Sequence, residues 1–172
     1  MAFPSDTQEA LESFYGRHQL KSNGQPTAKW EREHLTTTST PYPLTLSWDL
    51  AIQIKRITCH KLVARSLSQV LSEILAHYGS VNAIKTARMH LFGGCYNYRR
   101  ISGGGRLSTH AWGAGIDLDP DRNPLGLPHS ESIGMMPLAV VEIFERHGWK
   151  WGGRFVSRPD CMHFQATTSS SP

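Results

Sequence analysis

A single domain that mixes helices with short strands is the fold class this sequence predicts, and three observations predict it. The chain has 172 residues, enough for one substantial core and too few for two domains of ordinary size. Apolar residues recur at helical spacing in two windows, 50–78 and 137–146. In four other places, 44–48, 90–99, 114–119 and around His163, the chain reads as short strands.

Taken in order, residues 7–15 read as a short helix with Asp6 or Thr7 as its cap, Gly16 as its stop, and Leu11, Phe14 and Tyr15 as its apolar stripe. Residues 17–43 are polar and broken by Gly24, Pro26, Pro41 and Pro43, which predicts a surface loop anchored by Trp30. The longest regular segment, 50–78, carries Val63, Leu67, Val70, Leu71, Ile74, Leu75 and Tyr78 on one helical face, and Gly79 ends it. His60 and His77 fall in this segment without a partner at metal spacing, so core or surface roles are expected for them. Residues 90–99 read as a strand interrupted at Gly93-Gly94, and 103–105 form a glycine loop. A turn and strand follow that loop rather than a helix, which excludes a phosphate cradle. Residues 120–128 are turn-rich. Residues 137–146 form a helix with proline in its first turn, Leu138, Val141 and Phe144 on its buried side, and Gly148 as its stop. One domain spans 1–172, with a loop-rich N-terminal region, 1–43, and a frayed tail, 167–172.

Composition narrows the function classes. Net charge is +4, which suits an anionic partner such as a cell wall. The basic residues are scattered and form no stripe interleaved with aromatics, so nucleic acid is not expected. No apolar run approaches ~18 residues, which excludes a transmembrane helix and membrane insertion. The N-terminus lacks the pattern of a secretory signal, and synthesis in the cytoplasm is expected. Cys59, Cys95 and Cys161 match no zinc-ribbon spacing and read as reduced, mostly buried thiols, with Cys161 near enough to His163 to share its face. Asp119 and Asp121 hint at a calcium loop, but the twelve-residue pattern with its closing glutamate is absent.

The chemistry concentrates in 108–119, Ser-Thr-His-Ala-Trp-Gly-Ala-Gly-Ile-Asp-Leu-Asp. A turn at 110–113 would swing the chain into a strand on which Gly115, Asp117 and Asp119 share one face. His110 and Asp117 could then converge, and imidazole and carboxylate are both ligand types of catalytic zinc sites, which take three protein groups and leave one position open. Segment 160–165 offers His163 as the third ligand, with Phe164 facing the opposite way. Asp160 stands where a general base belongs, near the metal without binding it. Singly, each residue has an ordinary explanation: a loop histidine, a sheet-edge carboxylate, a strand histidine bonded to backbone. The combined spacing is far more specific.

The pattern S-x-H-x-x-G-x-A-x-D at Ser108, His110, Gly113 and Asp117, followed by Asp160, His163 and Phe164, resembles the zinc D-alanyl-D-alanine carboxypeptidase and L-alanyl-D-glutamate peptidase family, which cuts peptidoglycan stem peptides and includes phage endolysins. The pattern departs at Gly115, where the family carries alanine. A weaker likeness extends from about Phe14-Tyr15-Gly16 through Trp149 to Gly153 and on to Gln165. The resemblance implies an α+β fold, a small antiparallel sheet carrying the zinc site with helices packed around it. It implies one zinc ion held by His110, Asp117 and His163, with Asp160 as catalytic base. It also implies a Tyr98-Arg99 pair whose arginine faces the substrate carbonyl, or Arg100 with the register shifted by one. Ser108, Tyr98 and Trp112 are the expected substrate contacts, with Tyr96 and Trp151 as further candidates for the cleft wall.

The implied enzyme is a monomeric metallopeptidase, a peptidoglycan hydrolase of endolysin type acting on the internal L-alanyl-D-glutamate bond after release from the cytoplasm. The alternatives are a D-alanyl-D-alanine carboxypeptidase, a zinc amidase at the sugar–peptide junction, and a zinc-containing binding module without catalysis. Asp160 argues against the last, because a pure binding site has no use for a base.

Overall fold

Six strands join in one sheet in the order β2-β1-β3-β4-β6-β5, and the computed structural model describes residues 2–168 of the chain around it. The strands are β1 (Leu35–Leu46), β2 (Asp49–His60), β3 (Leu91–Gly94), β4 (Gly115–Leu118), β5 (Lys150–Trp151) and β6 (His163–Gln165). Every neighbouring pair is antiparallel except β1 and β3. Five helices complete the α+β fold: α1 (Gln8–Tyr15), α2 (Ala28–His34), α3 (Ala64–Tyr78), α4 (Val81–Thr86) and α5 (Leu138–Arg146). No helix among the described residues is long and apolar enough to cross a membrane.

Local chemistry sets the helix ends. The Thr7 hydroxyl accepts from Ala10 N at 3.2 Å, and Gly16, at φ 90°, stops α1 after two turns. Helix α3 buries Leu67, Val70, Leu71 and Ile74 and ends at Gly79 in the left-handed region, as its spacing predicts. Helix α3 lies across β1 and touches α5. In α5 the buried residues are Val140, Val141, Ile143 and Phe144, while Leu138 stands 40% exposed. The expected stripe is therefore rotated, and Pro137 caps the helix from outside rather than occupying its first turn.

Two expectations fail in the first half. Residues 17–43 are not one loop, since α2, with Trp30 buried on it, and most of β1 fall inside them. Likewise 50–78 is not one helix, because its first third is β2. The cause is shared. Thr36, Thr37, Thr38, Thr40, Ile52, Ile54, Ile57 and Thr58 are β-branched and favour extended backbone, and each run finds its partner only in the other. Strand β3 is also shorter than expected. It ends at Gly94, φ 126°, and the chain continues irregularly to Arg100. At the C-terminal end Thr167 is buried and Thr168 N donates to Pro4 O at 2.8 Å, so the tail is held up to that point. Residues 169–172 lie outside the described residues.

Candidate metal centre

His110 is placed by a tight turn. Residues Thr109–Trp112 form one 3-10 turn, Ser108 Oγ accepts from His110 N at 3.4 Å, and Gly113 reverses the chain at φ 66°. A Cβ at Gly113 would lie 2.9 Å from His60 N, so this left-handed corner can press against the end of β2 only as glycine. Strand β4 then carries Asp117, and its cross-strand partner in β6 is His163. Facing positions on neighbouring strands put side chains in contact, which is how residues 46 apart in sequence come together.

The three donor atoms converge as the spacing predicts. His163 Nδ1 lies 2.9 Å from Asp117 Oδ1, His110 Nε2 lies 3.1 Å from the same oxygen, and the two nitrogens are 3.1 Å apart. Neighbouring ligands in a tetrahedron with bonds of ~2.0–2.1 Å stand about 3.3 Å apart, so a small divalent ion fits this triangle after slight expansion. Both imidazoles are also oriented from behind. His110 Nδ1–H donates to Cys95 O at 2.7 Å, and His163 Nε2–H donates to Gln165 Oε1 at 3.1 Å. Each ring thus turns a lone pair inward, as metal-binding histidines do.

All three side chains are buried. Burial pushes the Asp117 carboxyl up, but the adjoining His110 and His163 rings outweigh it and hold the group well below the usual carboxylate range. Burial pulls His163 down, yet its contact with Asp117 wins and raises it. The carboxylate is therefore kept in its charged, ligating form.

Gly115 explains the departure from the family pattern. A Cβ there would lie 2.8 Å from Thr109 Oγ1 and 2.9 Å from His163 Cε1, so in this chain a hydroxyl and an imidazole fill the space of the missing methyl. Asp119 leaves the strand at φ 46° instead of sharing the face of Asp117. It accepts from Arg88 Nε at 2.9 Å, and Arg88 Nη2 also reaches Asp121 at 2.9 Å.

Asp160 stands at the rim of the triangle. Its Oδ1 is buried with no hydrogen-bond partner, and burial raises its carboxyl while His163 and Arg99 pull it down, the net shift being upward. A buried carboxylate oxygen left unpartnered costs free energy. Gly152 makes room for this residue, since a Cβ there would meet Asp160 O at 2.5 Å and His163 O at 3.2 Å. Gly152→Ala is expected to displace the 160–163 segment and lower kcat/KM about 100-fold, the cost typical of an ångström-scale misplacement. Steady-state kinetics beside a zinc titration would check this.

A cleft of about 530 Å³ opens over the triangle, and Arg99, Ser108, Lys150, Phe155, Arg158 and Asp160 line it. Arg99 faces this cleft, while Arg100 faces a neighbouring groove and donates to Gly105 O. Tyr98 lies in that second groove with its ring 4.8 Å from His18. Trp112 is fully buried and donates to Gly16 O at 2.8 Å. Tyr96 donates to Glu31, and buried Trp151 donates to Cys161 O. None of these four aromatics lines the cleft, because each ring fills core space or spends its polar atom elsewhere. The aromatic wall is Phe155, with Lys150 Nζ 5.2 Å from its ring centre. Residues 154–158 carried no expectation, although Arg154 and Arg158 shortly before Asp160 were a legible signal. Cys59, Cys95 and Cys161 are buried and unbridged, and Cys161 Sγ turns to Leu127 O, away from the triangle.

Residues 102–166 match the family model described as D-alanyl-D-alanine carboxypeptidase. That stretch holds His110, Asp117, Asp160 and His163, and stops short of Arg99. Comparison with curated proteins gives no match, and neither does comparison with solved structures. The likeness to this family is therefore confined to residues 102–166.

Proposed function

We propose that this protein is a zinc peptidase that hydrolyses amide bonds in peptidoglycan stem peptides, with the L-alanyl-D-glutamate bond as its target. The observation that carries this reading is the convergence of His110, Asp117 and His163 beside one cleft, whose wall His110, His163 and Asp160 share. His110, Asp117 and His163 would hold the ion. Bound there, zinc would supply Lewis acidity, polarising the scissile carbonyl and lowering the pKa of water toward ~7.

The chain's own residues do the rest. Asp160, on the cleft wall, accepts the proton of the attacking water and passes it to the leaving amine. Arg99 donates to the oxygen that gains negative charge, a contribution typically worth ~3 kcal/mol. Ser108, on the cleft wall, offers polar contact to the peptide backbone. Tyr98 and Trp112 have no part in it, because neither reaches the cleft. Lys150 and Arg158 supply positive charge on the cleft wall, which suits the free carboxylate that D-glutamate carries next to the scissile bond.

The same cations would also suit a C-terminal carboxylate, and the description of the matched family favours carboxypeptidase action as the second reading. Digestion of defined stem peptides followed by mass analysis separates the two. Release of the portion that begins with D-glutamate is the expected result, and loss of a single terminal D-alanine would establish the second reading. A zinc-loaded protein that cuts neither bond would leave the zinc amidase and the non-catalytic binding module, which product analysis on purified peptidoglycan separates.

A further inference from the structure

His163 can hold a metal through Nδ1 only while its proton sits on Nε2, and the structure shows what keeps it there. The Nε2 atom has two neighbours, Gln165 Oε1 at 3.1 Å and Thr109 Oγ1 at 3.4 Å. A hydroxyl donates or accepts with equal ease, so Thr109 does not choose between the two neutral forms of the ring. Gln165 does, provided its amide cannot turn over. With the oxygen toward His163 the proton belongs on Nε2. With the NH2 group there, the proton would move to Nδ1 and close the inward lone pair.

The far end of that amide decides its orientation. Gln165 Nε2 donates to Thr167 Oγ1 at 2.7 Å and to Asp6 Oδ2 at 2.8 Å. Thr167 is again indifferent. An ionised carboxylate only accepts, so Asp6 demands the NH2 group and turns the oxygen to His163. Asp6 is itself fixed. Arg106 Nη1 donates to its Oδ1 at 2.7 Å and to its main-chain oxygen at 3.2 Å, and Lys150 Nζ stands 3.9 Å from Oδ2. Its side chain is only 10% exposed. On either side of it, Pro4 O accepts from Thr168 N, and the Gln8 side chain accepts from Leu107 N.

We propose that Asp6 is a positioning residue for the metal site, acting through the Gln165 amide to fix the tautomer in which His163 presents Nδ1 to the ion. The inference rests on the reading of His163 as a zinc ligand. Asp6 lies far outside the matched residues 102–166, so that match says nothing about it.

The test compares zinc affinity, by competition with a chromophoric chelator at fixed pH, with the melting temperature of the metal-free protein. Arg106 would hold the oxygen of an asparagine at position 6 and leave its NH2 group facing Gln165, so Asp6→Asn is expected to weaken zinc binding about 10- to 100-fold, the range for groups that orient a ligand from behind. The double variant Asp6→Asn/Gln165→Glu is expected to recover most of that loss. Its new carboxylate can only accept from His163, while the new amide at position 6 donates to the other carboxylate oxygen. Unchanged zinc affinity in Asp6→Asn overturns the proposal. So does a lower melting temperature with weakened zinc binding that the double variant does not recover, which would reduce Asp6 to a tether. Should Asp6→Asn fail to fold, nitrogen-15 spectra of the zinc-loaded wild type decide instead. A proton on His163 Nε2 with Nδ1 ligating is expected, and ligation through Nε2 refutes it. A wild-type chain that takes up no zinc would fail one step earlier, at the ligand assignment itself.

Discussion

Asp160→Ala is expected to lower turnover about 1,000-fold, within the range for removal of a general base, while zinc affinity stays within a few-fold of wild type. The backbone bonds that set the segment, Asp160 N to Gly152 O and His163 N to Asp160 O, do not involve the deleted carboxyl. His163 therefore keeps its place and the triangle stays intact. The stability change has a definite sign as well. The wild-type side chain buries an oxygen without a partner, and removing such a group relieves a desolvation cost. The variant should melt at or above the wild-type temperature. Metal analysis, stem-peptide turnover and a melting curve on one preparation test all three expectations. Zinc lost together with activity would show that Asp160 is a ligand and not the base.

His110→Ala is expected to abolish activity and to cut zinc affinity by well over the ~100-fold ceiling typical of residues that only orient a ligand. Its Nε2 is one corner of the triangle, and no other imidazole among the described residues touches the remaining two. His18 and His60 cannot replace it. His18 bonds Ala111 O, and His60 bonds Tyr15 O and Leu62 N in the core. The variant also leaves Asp117 with one imidazole instead of two in a buried site, so its carboxyl should move up from the depressed value the pair maintains. Equilibrium dialysis against zinc, with turnover measured at saturating metal, is the check. Activity restored by excess zinc would mean that His110 only strengthens binding.

The site was far more legible than the scaffold. His110, Gly113 and Asp117 sit within one turn and one strand, so local rules of spacing and alternation sufficed to bring two donors together. His163 followed from the same logic applied to a second short strand. The β1–β2 hairpin was illegible because its evidence is pairwise. The threonine run of β1 looks like a loop, and Ile52, Ile54 and Ile57 blend into the helix that follows, until the two are laid side by side. The aromatics misled for a different reason. Trp112 lies inside the motif and Trp151 shortly before the 160–165 segment, yet a ring of that size is drawn into whatever core lies nearest. Phe155, placed by a loop, reached the cleft instead. Asp6 carried no signal beyond a helix cap, because its meaning depends on a partner 159 positions away.

Phe164 stacks on Phe144 of α5 with ring centres 3.8 Å apart and planes 12° from parallel. Strand β6 is three residues long and has too few ladder bonds of its own to resist sliding along β4. A slip of one position would thrust His163 into the hydrophobic interior and leave a phenyl ring among the cleft's charges. The aromatic stack therefore works as a detent, admitting one setting of the strand. Damage to α5, on the far side of the sheet from any reacting atom, would be felt as a protein that folds but no longer retains its ion.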